Sequence, residues 1–234
     1  MELIFREDAY ARGCTATVTA AREGALVLDR TVFYPAGGGQ PGDTGVLRCA
    51  GTELRIIDTV KGEGTDEVIH VPEPGVALPE PGTPVELELD WDRRHAHMRM
   101  HTCLHLLCAV VPGAVTGGQV GADKSRLDFN VPSSTLDKDE ITAALNRLIQ
   151  ADHPVRQRWI DDAGLEAAPD LVRTMSVKPP TGTGKVRLLD IEGVDLQPCG
   201  GTHVAHTGEI GRVEVVKIEN KGKQNRRVVV AFAP

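Results

Sequence analysis

The sequence contains no run of about 18 consecutive apolar residues, the length that a membrane-spanning helix requires. Its first residues also lack the basic and apolar regions of a secretory signal peptide. Aromatic residues make up only 3% of the 234 residues, which argues against recognition of nucleic acid by broad base-stacking platforms. The remaining composition, 41% hydrophobic and 25% charged, is that of an ordinary globular chain. We therefore expect a cytoplasmic protein that has no membrane partner.

Cysteine is also scarce, and the five cysteines cannot all be paired because their number is odd. In a cytoplasmic chain we expect free thiols rather than a disulfide framework. Cys103 and Cys108 lie in an apolar helical run, where buried unreactive thiols are expected. Cys14 and Cys49 lie in strand-like runs, where we expect them to pack. Cys199 differs from them because it lies in a glycine-rich segment, four residues before a histidine.

Positive charge is in deficit over the whole chain, which has a formal net charge of −7. Residues 1–90 carry 7 Lys or Arg against 16 Asp or Glu, whereas residues 91–234 carry 19 against 17. This asymmetry favours two modules with different partners, although charge also drifts along ordinary soluble chains. The acidic total therefore does not exclude a nucleic-acid partner for the second half.

Short strand-like runs separated by Gly, Pro and acidic turns fill the first 90 residues and predict a small β-barrel or sandwich. The runs are 14–20, 25–28, 31–34, 45–47, 53–60, 68–71 and 85–89. The pattern changes at Asp90, after a segment rich in Pro and Gly. We therefore predict two domains, 1–90 and 91–234.

Helical and strand-like patterns mix in the second domain. One helix is predicted from Asp90 or Asp92 to about Val110, because Pro112 and Gly113 would end it. Two more helices are predicted at 137–151 and 161–168, and strands at 186–191, 212–218 and 226–233. The predicted fold class is therefore α+β, with an N-terminal β-barrel domain followed by a two-layer α/β domain that contains an antiparallel sheet.

Two pairs of potential metal ligands lie almost a hundred residues apart. His101 and His105 are four residues apart on the first predicted helix, so both imidazoles project from one face, as in a zinc site. No glutamate lies between them, which excludes the zincin type of metalloprotease. Cys199 and His203 flank two glycines that let the loop fold tightly around an ion. Together the pairs predict one metal site.

Two other histidines lie near the start of the same helix. His97 is four residues before His101 and is the rival ligand. The neighbouring Arg93, Arg94 and Arg99 favour a solvated basic face instead, so we leave His95 and His97 out of the metal site.

With these pairs, segments 101–107 and 199–204 resemble the editing domain of alanyl-tRNA synthetases and the freestanding alanyl-tRNA editing proteins of the AlaX family. Further similar segments follow the family's order: 34–45, which looks like the glycine-rich loop of the medium-length type, 119–129 and 207–211. The resemblance covers nearly the whole chain, with Cys103 as one departure, since alanine is common there. It implies a barrel-like domain, an α+β editing domain and no aminoacylating domain.

The resemblance implies one Zn²⁺ per chain, held by His101, His105, Cys199 and His203. It also implies hydrolysis of the ester between an amino acid and the 3′ end of alanine tRNA, with serine as the misattached amino acid and glycine as a second candidate. Four protein ligands are typical of a closed site. Two hypotheses stay open: one ligand is displaced and the ion activates water, or the site stays closed and the ion positions the substrate.

Several residues have candidate roles in catalysis or substrate binding. Thr102 is the candidate partner for the serine hydroxyl, because a polar group discriminates better than a larger pocket. The alternative for Thr102 is a hydrogen bond back to a helix carbonyl. By resemblance, Gln119 acts from a glycine-rich loop in the active site. Arg126 and Asp128 alternate on a predicted strand, where they either face the substrate or pair with neighbours.

The glycine-rich loop is predicted to bind substrate through Gly37, Gly38, Gly39 and Gln40. It lacks the Gly-Lys-Ser/Thr ending of a P-loop and no helical pattern follows, so no nucleoside triphosphate is expected. The alternative is a tight glycine turn in a barrel.

The C-terminal hairpin is the candidate tRNA-binding surface, because six cations stand against two acidic residues between 212 and 227. These cations are Arg212, Lys217, Lys221, Lys223, Arg226 and Arg227. An ordinary solvated hairpin is the alternative.

Three other functions stay open at this point. The chain could be a zinc-dependent esterase for another substrate, a non-catalytic zinc module that binds RNA, or an editing domain separated from a longer synthetase. The oligomeric state is also open.

Overall fold

The structure is a computed structural model of the chain and describes residues 1–22, 24–64, 66–131, 136–173 and 184–234. The chain divides into two compact units, Met1–His95 and Ala96–Pro234. Both contain antiparallel sheets and few helices, so the predicted α+β class is confirmed. The functions assigned to domains 1–90 and 91–234 stay predictions. Among the helices in the described ranges, none combines the length and apolar character needed to cross a membrane.

A closed barrel of six antiparallel strands forms the first unit, as the sequence predicts. The strands of the unit are β1 (Glu2–Leu3), β2 (Gly13–Arg22), β3 (Ala25–Leu28), β4 (Arg30–Thr31), β5 (Gly45–Cys49), β6 (Thr52–Lys61), β7 (Val68–Pro72) and β8 (Pro84–Leu89), with the short helix α1 (Ile4–Glu7). Around the barrel the order is β2-β3-β7-β6-β5-β8. In β8 apolar and polar residues alternate, as expected for a barrel strand. Val85, Leu87 and Leu89 are buried in the barrel core, and the residues between them are exposed.

The predicted strand 31–34 is wrong beyond Thr31, where the strand ends. The next three residues are buried outside any strand, and side chains bond part of their backbone. The carbonyl of Val32 accepts from Arg94 at 2.6 Å, and the backbone N–H of Tyr34 donates to the Asp43 carboxylate at 2.6 Å. Buried backbone groups need a hydrogen-bond partner of some kind, and here it is an ion pair from outside the segment.

The predicted solvated face of histidines and arginines is also wrong, because Arg94 and His97 are buried. Arg94 forms a salt bridge with Asp43, and its guanidinium also donates to the carbonyl of Ala9 at 2.9 Å. A buried arginine is tolerated only when its charge and its donors are satisfied, and this one has a carboxylate and two carbonyls.

In its described ranges, the second unit contains two sheets and three helices. Its elements are α2 (Trp91–Val110), within which the two units divide, β9 (Ala114–Gln119), β10 (Lys124–Asn130), α3 (Lys138–Gln150), β11 (Val155–Ile160), α4 (Asp162–Ala167), β12 (Val186–Ile191), β13 (Asp195–Pro198), β14 (Val213–Asn220), β15 (Asn225–Phe232), and the 3₁₀ turns Pro169–Leu171 and Thr207–Ile210. The predicted helices are confirmed: Asp90, Asp137 and Asp161 each accept a backbone N–H at a helix start.

The two sheets have the orders β14-β15-β10-β9 and β11-β12-β13, and all their neighbours are antiparallel. Helix α3 packs on β14, where the amide of Asn146 bonds both the N–H and the C=O of Val213. In the three-stranded sheet, Val186 and Leu188 pack with Leu165 of α4 on one face. The opposite face, which we call the Arg187 face, contains residues Trp159, Arg187, Leu189, Asp195 and Gln197.

Candidate metal centre

Helix α2 and the loop after β13 bring the two predicted ligand pairs together. His101 and His105 lie one turn apart on α2, and Cys199 and His203 lie in the loop. One donor atom from each residue lies within 4.8 Å of the other three, so the four residues form a group that could hold a metal ion. All three histidines are buried and Cys199 is half-buried, so the group is only partly accessible, at Cys199.

Two distances between donor atoms of the group are close to those around a tetrahedral ion. The Sγ atom of Cys199 lies 3.2 Å from Nε2 of His203 and 3.6 Å from Nε2 of His101. Zinc bonds of about 2.0–2.3 Å at tetrahedral angles would separate neighbouring donor atoms by about 3.3–3.6 Å. The imidazole rings also lie close, with centroids 4.3 Å apart for His101 and His203 and 5.1 Å apart for His105 and His203.

A buried carboxylate orients His105. Nδ1 of His105 lies 2.9 Å from Oδ2 of Asp195, and the Asp195 side chain is only 1% exposed. The Gln197 amide donates to both carboxylate oxygens at 2.8 Å. Burial lowers the pKa of His105, but the hydrogen bonds to Asp195 and Cys199 raise it more strongly, to about 10. Because Nδ1 is engaged by Asp195, Nε2 is the nitrogen left for a metal.

Thr102 supports His203 in a similar way. Its hydroxyl is fully buried and donates to the carbonyl of Met98 at 2.9 Å. The same oxygen lies 3.2 Å from Nδ1 of His203 and accepts the N–H of Val204 at 3.3 Å. The helix back-bond considered for a threonine here is therefore present. A hydroxyl that donates to Met98 can accept Nδ1–H of His203, which leaves the lone pair of Nε2 for the metal.

Arg187 holds the backbone of the ligand loop from the neighbouring strand. Its guanidinium donates to the carbonyls of Cys199 at 3.2 Å and Gly201 at 2.6 Å, and its own carbonyl accepts the N–H of Cys199 at 3.1 Å. The side chain is buried. Three hydrogen bonds from one residue fix a loop that contains consecutive glycines and would otherwise have many accessible conformations.

The electrostatics of the group favour a thiolate at Cys199 and a neutral imidazole at His203, beside His105 with its raised pKa. Burial by itself raises the pKa of the Cys199 thiol, but its histidine neighbours, His101 foremost, outweigh burial and hold the pKa well below its ordinary value. Burial lowers the pKa of His203 to about 3, so this imidazole is neutral near pH 7. In contrast, burial raises the pKa of Cys103 and Cys108 to about 12, which fits the unreactive thiols predicted for them.

The other predicted active-site residues form a different cluster, on one face of the four-stranded sheet. The prediction that Gln119 lies in a loop is wrong, because it is the last residue of β9 and pairs with Arg126 of β10. Gly117 pairs with Asp128 and Gly118 with Leu127, so pairing between strands fixes this glycine-rich segment. Arg126 contacts Asp128 at 3.1 Å, and Arg227 donates two hydrogen bonds to the same carboxylate at 2.7 and 2.8 Å. These bonds from Arg227 are the main cause of the lowered pKa of Asp128.

The glycine-rich loop of the barrel unit is a tight turn. Gly37 and Gln40 exchange two backbone hydrogen bonds of 3.0 and 2.9 Å. Gly38 and Gly39 between them have φ angles of 59° and 85°, in the left-handed region that favours glycine. Gln40 is buried, whereas Gly38 and Gly39 are exposed at the tip. The alternative of a glycine turn is therefore observed, and the role of the loop in substrate binding stays a prediction.

The C-terminal hairpin is formed by β14 and β15, as predicted. Part of its positive charge is neutralised internally. Lys217 and Lys221 lie 2.6 and 3.4 Å from the Glu219 carboxylate. Arg227 forms a salt bridge with Asp128. Lys223 lies exposed in the turn. The tRNA-binding role predicted for these cations, and for Arg212 and Arg226, stays a prediction.

Sequence reasoning missed the residues that hold the ligands: Arg187, Asp195 and Gln197. The available signal was the spacing of Asp195, Gln197 and Cys199, which alternate along one strand and its extension. Only the register with β12 shows that these alternate residues share a face with Arg187.

Two known families each match a part of the chain, one in each unit. The family described as the threonyl and alanyl tRNA synthetase second additional domain matches residues 186–229, which include Cys199 and His203. The family described as tRNA synthetases class II (A) matches residues 9–93, which include the barrel.

Whole-chain comparison identifies closer relatives. The alanyl-tRNA editing protein AlaX-M of Methanosarcina acetivorans is 37% identical over 97% of both chains. The alanyl-tRNA editing protein AlaX-L of Pyrococcus horikoshii is 34% identical over 97% of this chain and 57% of its own length. An alanine–tRNA ligase of Aeropyrum pernix is 34% identical over 91% of this chain and 24% of its own length. The chain therefore belongs to the AlaX family of alanyl-tRNA editing proteins.

Proposed function

We propose that this chain is a trans-editing hydrolase that removes serine from wrongly charged alanine tRNA, with glycine as a second candidate substrate. The observation that carries the proposal is the group of His101, His105, Cys199 and His203 in a chain of the AlaX family. The names of the relatives support a tRNA substrate. The chain does not aminoacylate tRNA under this proposal.

Zinc is the proposed ion, because three imidazoles and one thiolate form a donor set that suits tetrahedral Zn²⁺. When bound, such an ion supplies Lewis-acid chemistry for ester hydrolysis, by polarising a carbonyl or acidifying a water. The chain's own residues orient the ligands: Asp195 holds His105, Thr102 holds His203, and Arg187 holds the loop. Their burial supports a site from which bulk water is excluded.

Thr102 is the proposed partner of the serine hydroxyl and a catalytic candidate. Its oxygen already has three polar neighbours, so contact with substrate requires that it exchange one of them. Thr102→Val separates two roles. Loss of the preference for Ser-tRNA over Ala-tRNA, with unchanged zinc affinity, supports contact with serine. Weaker zinc binding with an unchanged preference for Ser-tRNA would show that Thr102 only positions His203.

The proposed tRNA contacts lie on the outer face of the four-stranded sheet and its hairpin. Arg126 and Arg227 share the single carboxylate of Asp128, which leaves one positive charge in excess beside Gln119. Such a surface suits backbone phosphates rather than base edges. The proposed substrate-binding role of the Gly37–Gln40 turn is tested separately, by Gly38→Val.

Deacylation of alanine tRNA charged with serine, glycine or alanine tests the proposal. The zinc-loaded chain should release serine much faster than alanine, and a zinc chelator should abolish the release. If the zinc-loaded chain leaves Ser-tRNA intact, the proposal is wrong.

Two alternatives are separated by simple variants of this assay. A panel of small esters identifies an esterase with another substrate, because such an enzyme would hydrolyse the panel and spare Ser-tRNA. His105→Ala identifies a non-catalytic RNA-binding module, because an editing enzyme should lose serine release while it still binds tRNA.

A further inference from the structure

One aromatic side chain is unlike the others in this protein. All eight aromatic residues lie in the described ranges, and among them only Trp159 is exposed, with 51% of its surface accessible. Exposing a tryptophan forgoes the large stabilisation that its burial would give. Trp159 is therefore the aromatic side chain most available to a ligand or partner among the described residues.

The strand register puts Trp159 on the same side of the sheet as the metal group. Trp159 of β11 is the direct partner of Arg187 of β12, so both side chains point to the Arg187 face. Arg187 in turn pairs with Cys199, whose N–H donates to the Arg187 carbonyl. The three residues thus form one row across the sheet. At about 4.8 Å between neighbouring strands, the backbone at Trp159 lies about 10 Å from the backbone at Cys199.

The β12 and β13 residues of the Arg187 face are buried, so its accessible part lies on β11, at Trp159 and the exposed Gln157. Leu189 is 2% exposed and Gln197 3% exposed, whereas β11 is the edge strand of the sheet and its central residues are exposed. Arg156 and Arg158, on the opposite side of β11, are 61% and 62% exposed. Both arginines are paired with carboxylates, Arg156 with Glu192 and Arg158 with Asp190, so the edge that carries Trp159 is open to a ligand without being a cationic surface.

We propose that Trp159 is the stacking platform for the terminal nucleobase at the 3′ end of the tRNA. This inference rests on the proposed function, which brings the 3′-terminal ester to the metal group. A nucleobase offers a flat π-face that any aromatic side chain can cover, independent of sequence. The distance of about 10 Å between the backbones at Trp159 and Cys199 is about the length of one nucleoside. The base can therefore stack on Trp159 while the ester on its ribose reaches the metal group. A single platform is compatible with the low aromatic content.

The test compares two forms of uncharged alanine tRNA, one with its intact 3′ end and one shortened by the terminal adenosine. The wild-type chain should bind the intact form about 5- to 150-fold more tightly, the range expected for one stacked base. Trp159→Leu keeps a bulky apolar side chain but removes the π-face, and it should bind both forms equally. Trp159→Phe should restore part of the difference.

Ile57→Ala is the matched control, because Ile57 is a similarly exposed apolar residue (42%) on the outside of the barrel. It should leave the wild-type ratio unchanged. If Trp159→Leu keeps the wild-type ratio, the inference is wrong, and it is equally wrong if this variant changes only the oligomeric state measured by sedimentation. Failure of the proposed function is distinguishable, because the wild-type chain would then leave Ser-tRNA intact whatever the binding ratio.

Discussion

Replacing Asp195 by asparagine removes the carboxylate that orients His105 and should weaken zinc binding without removing a ligand. The carboxylate lies 2.9 Å from Nδ1 of His105, is 1% exposed, and is held at both oxygens by Gln197. Asparagine keeps the shape but loses the charge, and its amide conflicts with the donating amide of Gln197. Changes of this kind typically lower metal affinity by about 10- to 100-fold, which corresponds to about 1.4–2.7 kcal/mol.

Competition with a chromophoric zinc chelator measures this change directly. Asp190→Asn is the matched control, because Asp190 lies on the neighbouring strand and faces the other side, where it contacts Arg158 at 2.6 Å. We expect the control to bind zinc like the wild-type chain. Equal zinc affinity in Asp195→Asn and wild type, or equal losses in both variants, would refute the reasoning.

Three further predictions concern stability and tRNA binding. Burial lowers the pKa of His70 from 6.5 to about 4. The free energy of unfolding of the barrel should therefore fall by up to about 3 kcal/mol between pH 7 and pH 4, and urea denaturation measures this fall. The fall should be absent in His70→Gln. Asp43→Asn leaves Arg94 buried without its counter-ion and should lower the free energy of unfolding by about 3–5 kcal/mol, whereas Arg48→Ala, which breaks exposed salt bridges, should leave it nearly unchanged. Lys223→Ala should reduce the salt dependence of tRNA binding, by about 0.9 in the log–log slope if Lys223 contacts one phosphate.

Local patterns were sufficient to predict most of the fold. Helix starts could be predicted because Asp90, Asp137 and Asp161 cap helices through contacts within three residues of sequence. Barrel strands such as β8 could be predicted because their alternation is a local consequence of one buried face. The segment after Thr31 could not, because its backbone partners come from the distant Asp43 and Arg94.

In the candidate site, too, residues marked by local spacing could be predicted and residues that depend on strand pairing could not. Helical spacing and a glycine loop mark His101, His105, Cys199 and His203 as ligand pairs, and the structure brings these pairs together. The support from Asp195 depends on the register of β13 with β12, which sequence spacing does not contain.

The remaining wrong predictions also result from contacts between residues that are distant in the sequence. Gly117 and Gly118 indicated a loop at Gln119, but cross-strand pairing with β10 overrides the weak strand propensity of glycine. The arginines and histidines at the start of α2 indicated a solvated face, but Arg94 finds a carboxylate 51 residues earlier in the chain.

The central claim, that the His and Cys group is the centre of a tRNA deacylase, is tested most directly by titrating the metal-free chain with zinc while serine release from Ser-tRNA(Ala) is followed. We predict a rate that rises in proportion to added zinc and reaches its plateau at one ion per chain. Serine release by the metal-free chain at the same rate, or none at full zinc occupancy, would contradict the account.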